Sequence, residues 1–232
     1  MNTQGVQNSV KGAYKPRIEQ RILIMTAVPA ERDAVLRGLG GETGFDVLAA
    51  GVGPVAAAVQ TAKALARAKY SLVISAGIGG GFPGKAEVGS LVVASEIIAA
   101  DLGAETQEGF CSLEQLGFGS SRVPVDEDLL NLVYETLLGS KLPVNTGPVL
   151  TISTVTGTAE KARELAGRVP GAAAEAMEGY GVALAAQDSG VEVLELRAIS
   201  NLVGPRDRSA WRIKEALEAL EAATSILVRV LK

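Results

Sequence analysis

The chain has 232 residues, enough for one large α/β domain and short for two, and its 47% hydrophobic residues can bury a sizeable core although only 4% are aromatic. A formal charge of −4 argues against a nucleic-acid partner, which usually leaves a basic footprint, while a few local arginines still suffice for a small anionic ligand. With no histidine anywhere, Ser-His-Asp and Cys-His catalysis and most zinc chemistry are excluded, so acid–base work falls to Glu, Asp, Lys, Tyr or a bound water. The single cysteine, Cys111, has no partner for an intramolecular disulfide and is no metal site, which fits a reducing, cytoplasmic setting. Polar first residues give no sign of a signal peptide, and no run of about 18 apolar residues suggests a membrane span.

Residues 1–20 are polar and aperiodic and read as a disordered extension. A buried strand is predicted at 21–25, then a helix at 30–39 with Pro29 in its first turn. A second strand at 45–50 leads through Gly51-Val52-Gly53-Pro54 into an Ala-rich helix from 55 to about 69. A third strand, 71–75, runs into a glycine-rich loop, 76–83, and a longer strand spans 88–99 around a Gly89-Ser90 turn. No period is clear over 101–122, a length that often marks a functional or interfacial loop. Then come a helix at 126–138 with an acidic first turn, a strand at 147–153, a helix at 158–166 and a short strand at 172–176. A helix at 179–189, a strand at 191–200 and a long amphipathic helix over 209–230 close the chain. This alternation predicts one layered α/β domain over 21–232 with a largely parallel sheet.

In open α/β sheets, ligands bind beyond the carboxyl ends of the strands, so polar groups at those ends draw attention. Gly51-Val52-Gly53-Pro54-Val55-Ala56 fits a dinucleotide-binding pattern, but the following strand ends Val73-Ile74-Ser75-Ala76-Gly77 without the carboxylate that would hold a ribose. A glycine turn that brings backbone amides to a pocket edge is the better reading. The stretch from Ser75, Ala76 and Gly77 to Phe82 reads either as a tight turn or as main chain laid against a sugar or base.

Glu31 and Glu178 each open a helix, where a solvated side chain favoured by the helix dipole is the bland reading. Glu178, however, follows 172–177, where Glu175 is the only other charge. Arg197 lies between Leu196 and Ala198-Ile199, where an unpaired cation is costly and needs a carboxylate or a ligand. On a regular strand Arg197 and Asn201 share one face roughly 13 Å apart, a spacing that suits the two ends of a nucleoside. Trp211, the only tryptophan, is either core or a lid over a base, after a helix entry capped by Asp207 or Ser209.

Taken together, Thr26-Ala27-Val28-Pro29-Ala30-Glu31-Arg32, Ser75-Ala76-Gly77-Ile78-Gly79-Gly80, Glu175-Ala176-Met177-Glu178-Gly179-Tyr180 and the run from Arg197 to Arg208 resemble the nucleoside phosphorylase and nucleosidase superfamily, and within it the futalosine hydrolases of the alternative menaquinone pathway. The resemblance runs from about Arg21 to the C-terminus. It implies a three-layer αβα sandwich around a twisted, largely parallel mixed sheet, and cleavage of an N-glycosidic bond by water. It also implies that Glu31 activates the water with help from Ser75 and Arg197. Glu178 binds the ribose hydroxyls over Met177, Trp211 covers the purine, and Val52 lines the pocket.

Asn201 stands where adenine-directed relatives carry aspartate. An amide can donate to a 6-oxo group or to N7, which suits hypoxanthine as the released base and futalosine over methylthioadenosine. A purine nucleoside phosphorylase, a methylthioadenosine/S-adenosylhomocysteine nucleosidase and a non-catalytic purine nucleoside-binding module remain the alternatives. No metal or redox cofactor is expected, and the partners are a purine nucleoside and water. Relatives also imply a homo-oligomer in which a neighbour's loop closes each pocket, with 101–122 and its Phe110 and Phe118 as candidates. Arg206 and Arg208 are candidates for the substrate's carboxylated aromatic tail.

Overall fold

The structure is a computed structural model that describes residues 21–231, so the disorder expected of 1–20 lies outside the described residues. Its elements run β1 (Arg21–Thr26), α1 (Pro29–Leu39), β2 (Phe45–Ala49), α2 (Pro54–Leu65), β3 (Tyr70–Gly81), β4 (Leu91–Ala99), β5 (Gly103–Thr106), β6 (Gly109–Ser112), α3 (Leu113–Leu116) and β7 (Arg122–Pro124). They continue with α4 (Glu127–Leu138), β8 (Val144–Thr151), α5 (Ala159–Arg168), β9 (Ala174–Ala176), α6 (Gly179–Asp188), β10 (Glu192–Leu202) and α7 (Ile213–Leu227).

Among the described residues, eight strands form one mixed sheet. β2, β1, β3 and β10 pair in parallel, as do β4, β8 and β9, while β10–β4, β3–β9 and β4–β7 are antiparallel. Because β10 pairs with both β3 and β4, the strands β3, β9, β8, β4 and β10 close on one another and leave no edge among them. The apolar runs of β1, β3, β4 and β10 are buried almost throughout, as expected of strands covered on both faces.

Helices complete the layers, and small residues let them approach. A Cβ on Gly38 would collide with the Glu221 carbonyl where α1 meets α7, and one on Gly181 with the Pro54 carbonyl where α6 meets α2. Close backbone packing thus replaces the bulk of the missing aromatics. Among the described residues no helix is long and apolar enough to cross a membrane.

Three expectations need correction. The glycine-rich stretch after Ser75 is no loop. β3 continues to Gly81 because its backbone pairs with β10 on one side and β9 on the other. The aperiodic stretch 101–122 contains the antiparallel β5–β6 hairpin and α3, capped by Ser112. The final helix is split, since Asp207 caps a separate 3-10 turn at Arg208–Ala210 before α7 begins.

Candidate active site

The ends of β1, β3, β9 and β10 and the starts of α1 and α6 surround a cavity of about 290 Å³, near the lower end for small-molecule pockets. Glu31, Val52, Met177, Glu178, Asn201 and Trp211 all line it, together with Val28, Gly79, Gly80, Glu175 and Ser200. Ser75, Ala76, Gly77 and Arg197 are absent from its wall. They lie behind it, on the paired stretches of β3 and β10.

Glu31 does not take the solvated position its place in α1 suggests; it is only 3% exposed. Its Oε2 accepts from the backbone N–H of Ala27 (2.8 Å) and Val28 (3.2 Å), and Oε1 from that of Ile78 (2.9 Å). The helix start thereby gains a partner for an otherwise orphaned donor, and the carboxyl is held against β3. Gly77 makes this possible, because a Cβ there would lie 2.6 Å from both Glu31 Oε1 and Arg197 Nη1. Burial pushes the Glu31 carboxyl above the usual carboxylate range, against the pull of Arg197 and of the three N–H donors.

Glu178 occupies the N-cap position of α6, yet its side chain does not cap that helix. It turns to the cavity, accepting from Gly53 N–H (3.1 Å) and Met177 N–H (3.3 Å). Gly53, at φ 95°, can present that N–H because it adopts a backbone conformation that side-chain-bearing residues avoid. The glycine turn after β2 therefore does bring an amide to the pocket edge.

Arg197 ties these groups together. Its guanidinium, 1% exposed, donates from Nε to Glu195 Oε1 (2.8 Å) and from Nη2 to Ser75 Oγ (2.9 Å), and Nη1 lies 3.7 Å from Glu178 Oε2. Burial works against this cation, but Glu195, Glu178 and Glu31 outweigh it and hold its pKa up. Burial also raises the Glu195 carboxyl, whose Oε2 has no hydrogen-bond partner among the described residues. One guanidinium thus faces three carboxylates, and the excess negative charge favours a cation, or a retained proton, in the adjoining space.

The expectation that Arg197 and Asn201 share a face is not met. The register of β10 against β3 slips between Ile199 and Asn201, and a one-residue bulge reverses the alternation. Asn201 is therefore half-buried on the cavity while Arg197 stays behind it. Asn201 Nδ2 donates to the Leu202 carbonyl (3.1 Å), which fixes the amide's orientation, and its Oδ1 lies 2.9 Å from Ser200 Oγ. One N–H of the amide is left to donate.

Trp211 is not core; it is half-buried at the cavity, with the Arg206 guanidinium 5.2 Å from its ring centroid. Arg206 and Arg208 are exposed and do not line the cavity. Phe110 lies under the Arg168 guanidinium of its own chain (3.5 Å), whereas Phe118 is 78% exposed.

Sequence reasoning missed Glu195 and Glu175. The signal for Glu195 was an acid two residues from Arg197 on one strand face; the signal for Glu175 was a lone carboxylate among alanines. Among the described residues no group of three or more His, Cys, Asp or Glu side chains could hold a metal ion.

Comparison with known proteins bears on this geometry. A family model described as the phosphorylase superfamily matches residues 22–232. A futalosine hydrolase of Streptomyces coelicolor is 53% identical over 91% of this chain and 96% of its own, and one of Thermus thermophilus is 39% identical over 83% and 84%. Among solved structures, a 5'-methylthioadenosine/S-adenosylhomocysteine nucleosidase of Neisseria meningitidis superposes with a TM-score of 0.77 at 18% identity, covering 91% of this chain and 99% of that one. A futalosine hydrolase of Helicobacter pylori superposes with a TM-score of 0.75 at 20% identity, covering 91% and 97%. The chain belongs to the phosphorylase superfamily and, within it, to the futalosine hydrolase family.

Proposed function

We propose that this cavity hydrolyses the N-glycosidic bond of futalosine and releases hypoxanthine, on the futalosine route to menaquinone. The observation that carries the reading is that Glu31 and Glu178, 147 positions apart in the sequence, line one cavity with the donor amide of Asn201. The relatives named as futalosine hydrolases, at 53% and 39% identity, support the substrate.

The ribose lies at the carboxylate end. Glu31 orients a water and takes one of its protons while the water oxygen bonds to C1′. The electron pair of the C1′–N9 bond leaves with the purine, which takes up a proton from a second water and departs as the free base, while Glu31 gives its proton back to solvent. Positive charge builds on the sugar in between. Glu178, hydrogen-bonded to the ribose hydroxyls, favours that charge more in the transition state than in the ground state. Arg197 and Ser75 act from behind, as positioning residues for the two glutamates. Met177 packs under the sugar and Trp211 covers the base. Val52 closes the wall, and Arg206, over Trp211, is the candidate for the carboxylated tail. A phosphorylase would need a cationic phosphate site where Glu31 stands.

The test is a panel of futalosine, inosine and methylthioadenosine, followed by release of free base. Hypoxanthine released from futalosine, with methylthioadenosine left intact, is the expected result; adenine release in preference to hypoxanthine would overturn the substrate. The enzyme is also proposed to form a homo-oligomer, with Phe118 beyond the β5–β6 hairpin reaching a neighbour's site. A fully active monomer by light scattering contradicts that.

A further inference from the structure

The carboxylate paired most tightly with Arg197 is one to which the mechanism above assigns nothing. Glu195 is 0% exposed and shares a face of β10 with Arg197, two positions on. On β3, Ser75 is its register partner, as Gly77 is that of Arg197. Room for it comes from Gly179, the first residue of α6: a Cβ there would lie 2.2 Å from Glu195 Oε2 and 2.3 Å from Oε1. Oε2 has no hydrogen-bond partner among the described residues. A proton on that oxygen would find no acceptor, whereas a charged oxygen lies at the positive end of the α6 dipole. Burial opposes the charge, but these contacts and the Arg197 guanidinium favour it.

Two distances decide what this carboxylate does. Arg197 donates from Nε to Glu195 Oε1 at 2.8 Å, but its Nη1 stands 3.7 Å from Glu178 Oε2, beyond hydrogen-bond reach. The tight pairing of the cation thus goes to a carboxylate behind the cavity wall, and not to the one that lines it. With Nη2 on Ser75 Oγ, two sides of the guanidinium are fixed and Nη1 is held towards the cavity. An ion pair buried this deeply adds little net stability, since desolvation offsets the attraction, so stability alone does not account for it.

We infer that Glu195 is a positioning residue for the hydrolysis: it takes up the charge of Arg197 from behind, so that Glu178 keeps its own for the sugar cation and Glu31 its own for the water. The inference rests on the roles proposed above for those two glutamates and adds the residue that stops Arg197 from quenching them. Without the Glu195 charge, the guanidinium would close on Glu178 and weaken its hold on the developing cation. The unbalanced cation would also pull the Glu31 carboxyl down, in the direction Arg197 already acts, and make it a poorer base. The charged groups that face Glu31 are Arg197 from β10 and, through it, Glu195 on the same strand and Glu178 at the start of α6. The turn after β1 and strand β3 meet it with the N–H groups of Ala27, Val28 and Ile78. α7 touches α1 at Gly38, about two turns further on.

The experiment takes whichever nucleoside of the panel the wild-type chain cleaves. It measures kcat, KM and the pH profile of kcat/KM for the wild type, Glu195→Gln and Glu195→Asp, with a thermal melt in parallel. Glu195→Gln keeps the shape and an acceptor for Nε but removes the charge. It should lower kcat about 10- to 100-fold with KM within about threefold of wild type, and its acid limb should move to lower pH. Glu195→Asp keeps the charge but draws it back from the guanidinium, and should lie between the other two in both readouts. A merely structural role would lower the melting temperature and the active fraction and leave the acid limb in place. If Glu195→Gln does not fold, a limb moved to lower pH in Glu195→Asp decides. An unchanged kcat, a limb that stays or moves to higher pH, or failure of both variants to fold overturns the inference and leaves the proposed function standing. A wild type that cleaves no nucleoside overturns both.

Discussion

At the Glu31–Glu178 end of the cavity the polar side chains are at most 7% exposed and held by backbone N–H groups or Arg197, whereas at the Asn201–Trp211 end two half-buried side chains line the opening and Asn201 keeps a donor free. The first end is fixed before any ligand arrives, which is what electrostatic stabilisation of a developing cation requires, since no reorganisation is left for the reaction itself. The second is open to a choice of base, where a mispaired donor or acceptor rejects the wrong one. Chemistry and selection are thereby separated in space, and perturbing one end should leave the other's property intact.

The largest effects belong to the first end. Glu31→Gln and Glu178→Gln should each lower kcat by about 10²- to 10⁴-fold, with base selectivity and the melting temperature close to wild type. Loss of selectivity in either variant would break the division. Arg197→Met should act on the fold, because it strands carboxylates in a buried site; a loss of about 3–5 kcal/mol in denaturant unfolding is expected, and an unchanged stability would contradict the counter-charge role.

The pH profile sharpens the same division. Burial raises the Glu31 carboxyl above its ordinary value, and the ionised form is the base. Activity should therefore fall as pH drops through that raised value, at a higher pH than an exposed glutamate would give. Glu31→Gln should lose this acid limb from its residual activity, while base binding keeps its own pH dependence. The smallest effect is at the rim. Trp211→Ala should raise KM about three- to tenfold through lost stacking, with kcat nearly unchanged.

Much of this arrangement was legible before the structure. The alternation of strands and helices, the helix starts at Glu31 and Glu178, and the need of Arg197 for a carboxylate all followed from residue type and position. Burial was not legible at Glu31, because an acid in a first helical turn looks solvated unless the strand opposite carries a glycine that admits it, as Gly77 does. Glycines at 77 and 79–81 suggested a loop, since glycine weakens isolated strands, but here they make room for neighbouring groups within a paired strand. The bulge before Asn201 has no single-residue signature, so the alternation argument placed Asn201 on the wrong face. Glu175 and Glu195 were hidden for the opposite reason: on buried strands a lone acid is read as part of the apolar run until its partner is seen.

The central claim is that Glu31 directs a water, and not another nucleophile, at the sugar. Running the reaction in H₂¹⁸O, with and without phosphate, and weighing the sugar product tests it directly. One ¹⁸O at C1′ of the free sugar, independent of phosphate and formed only at a residual rate by Glu31→Gln, is the predicted result. A sugar 1-phosphate, or labelled sugar formed at the wild-type rate by Glu31→Gln, would contradict it.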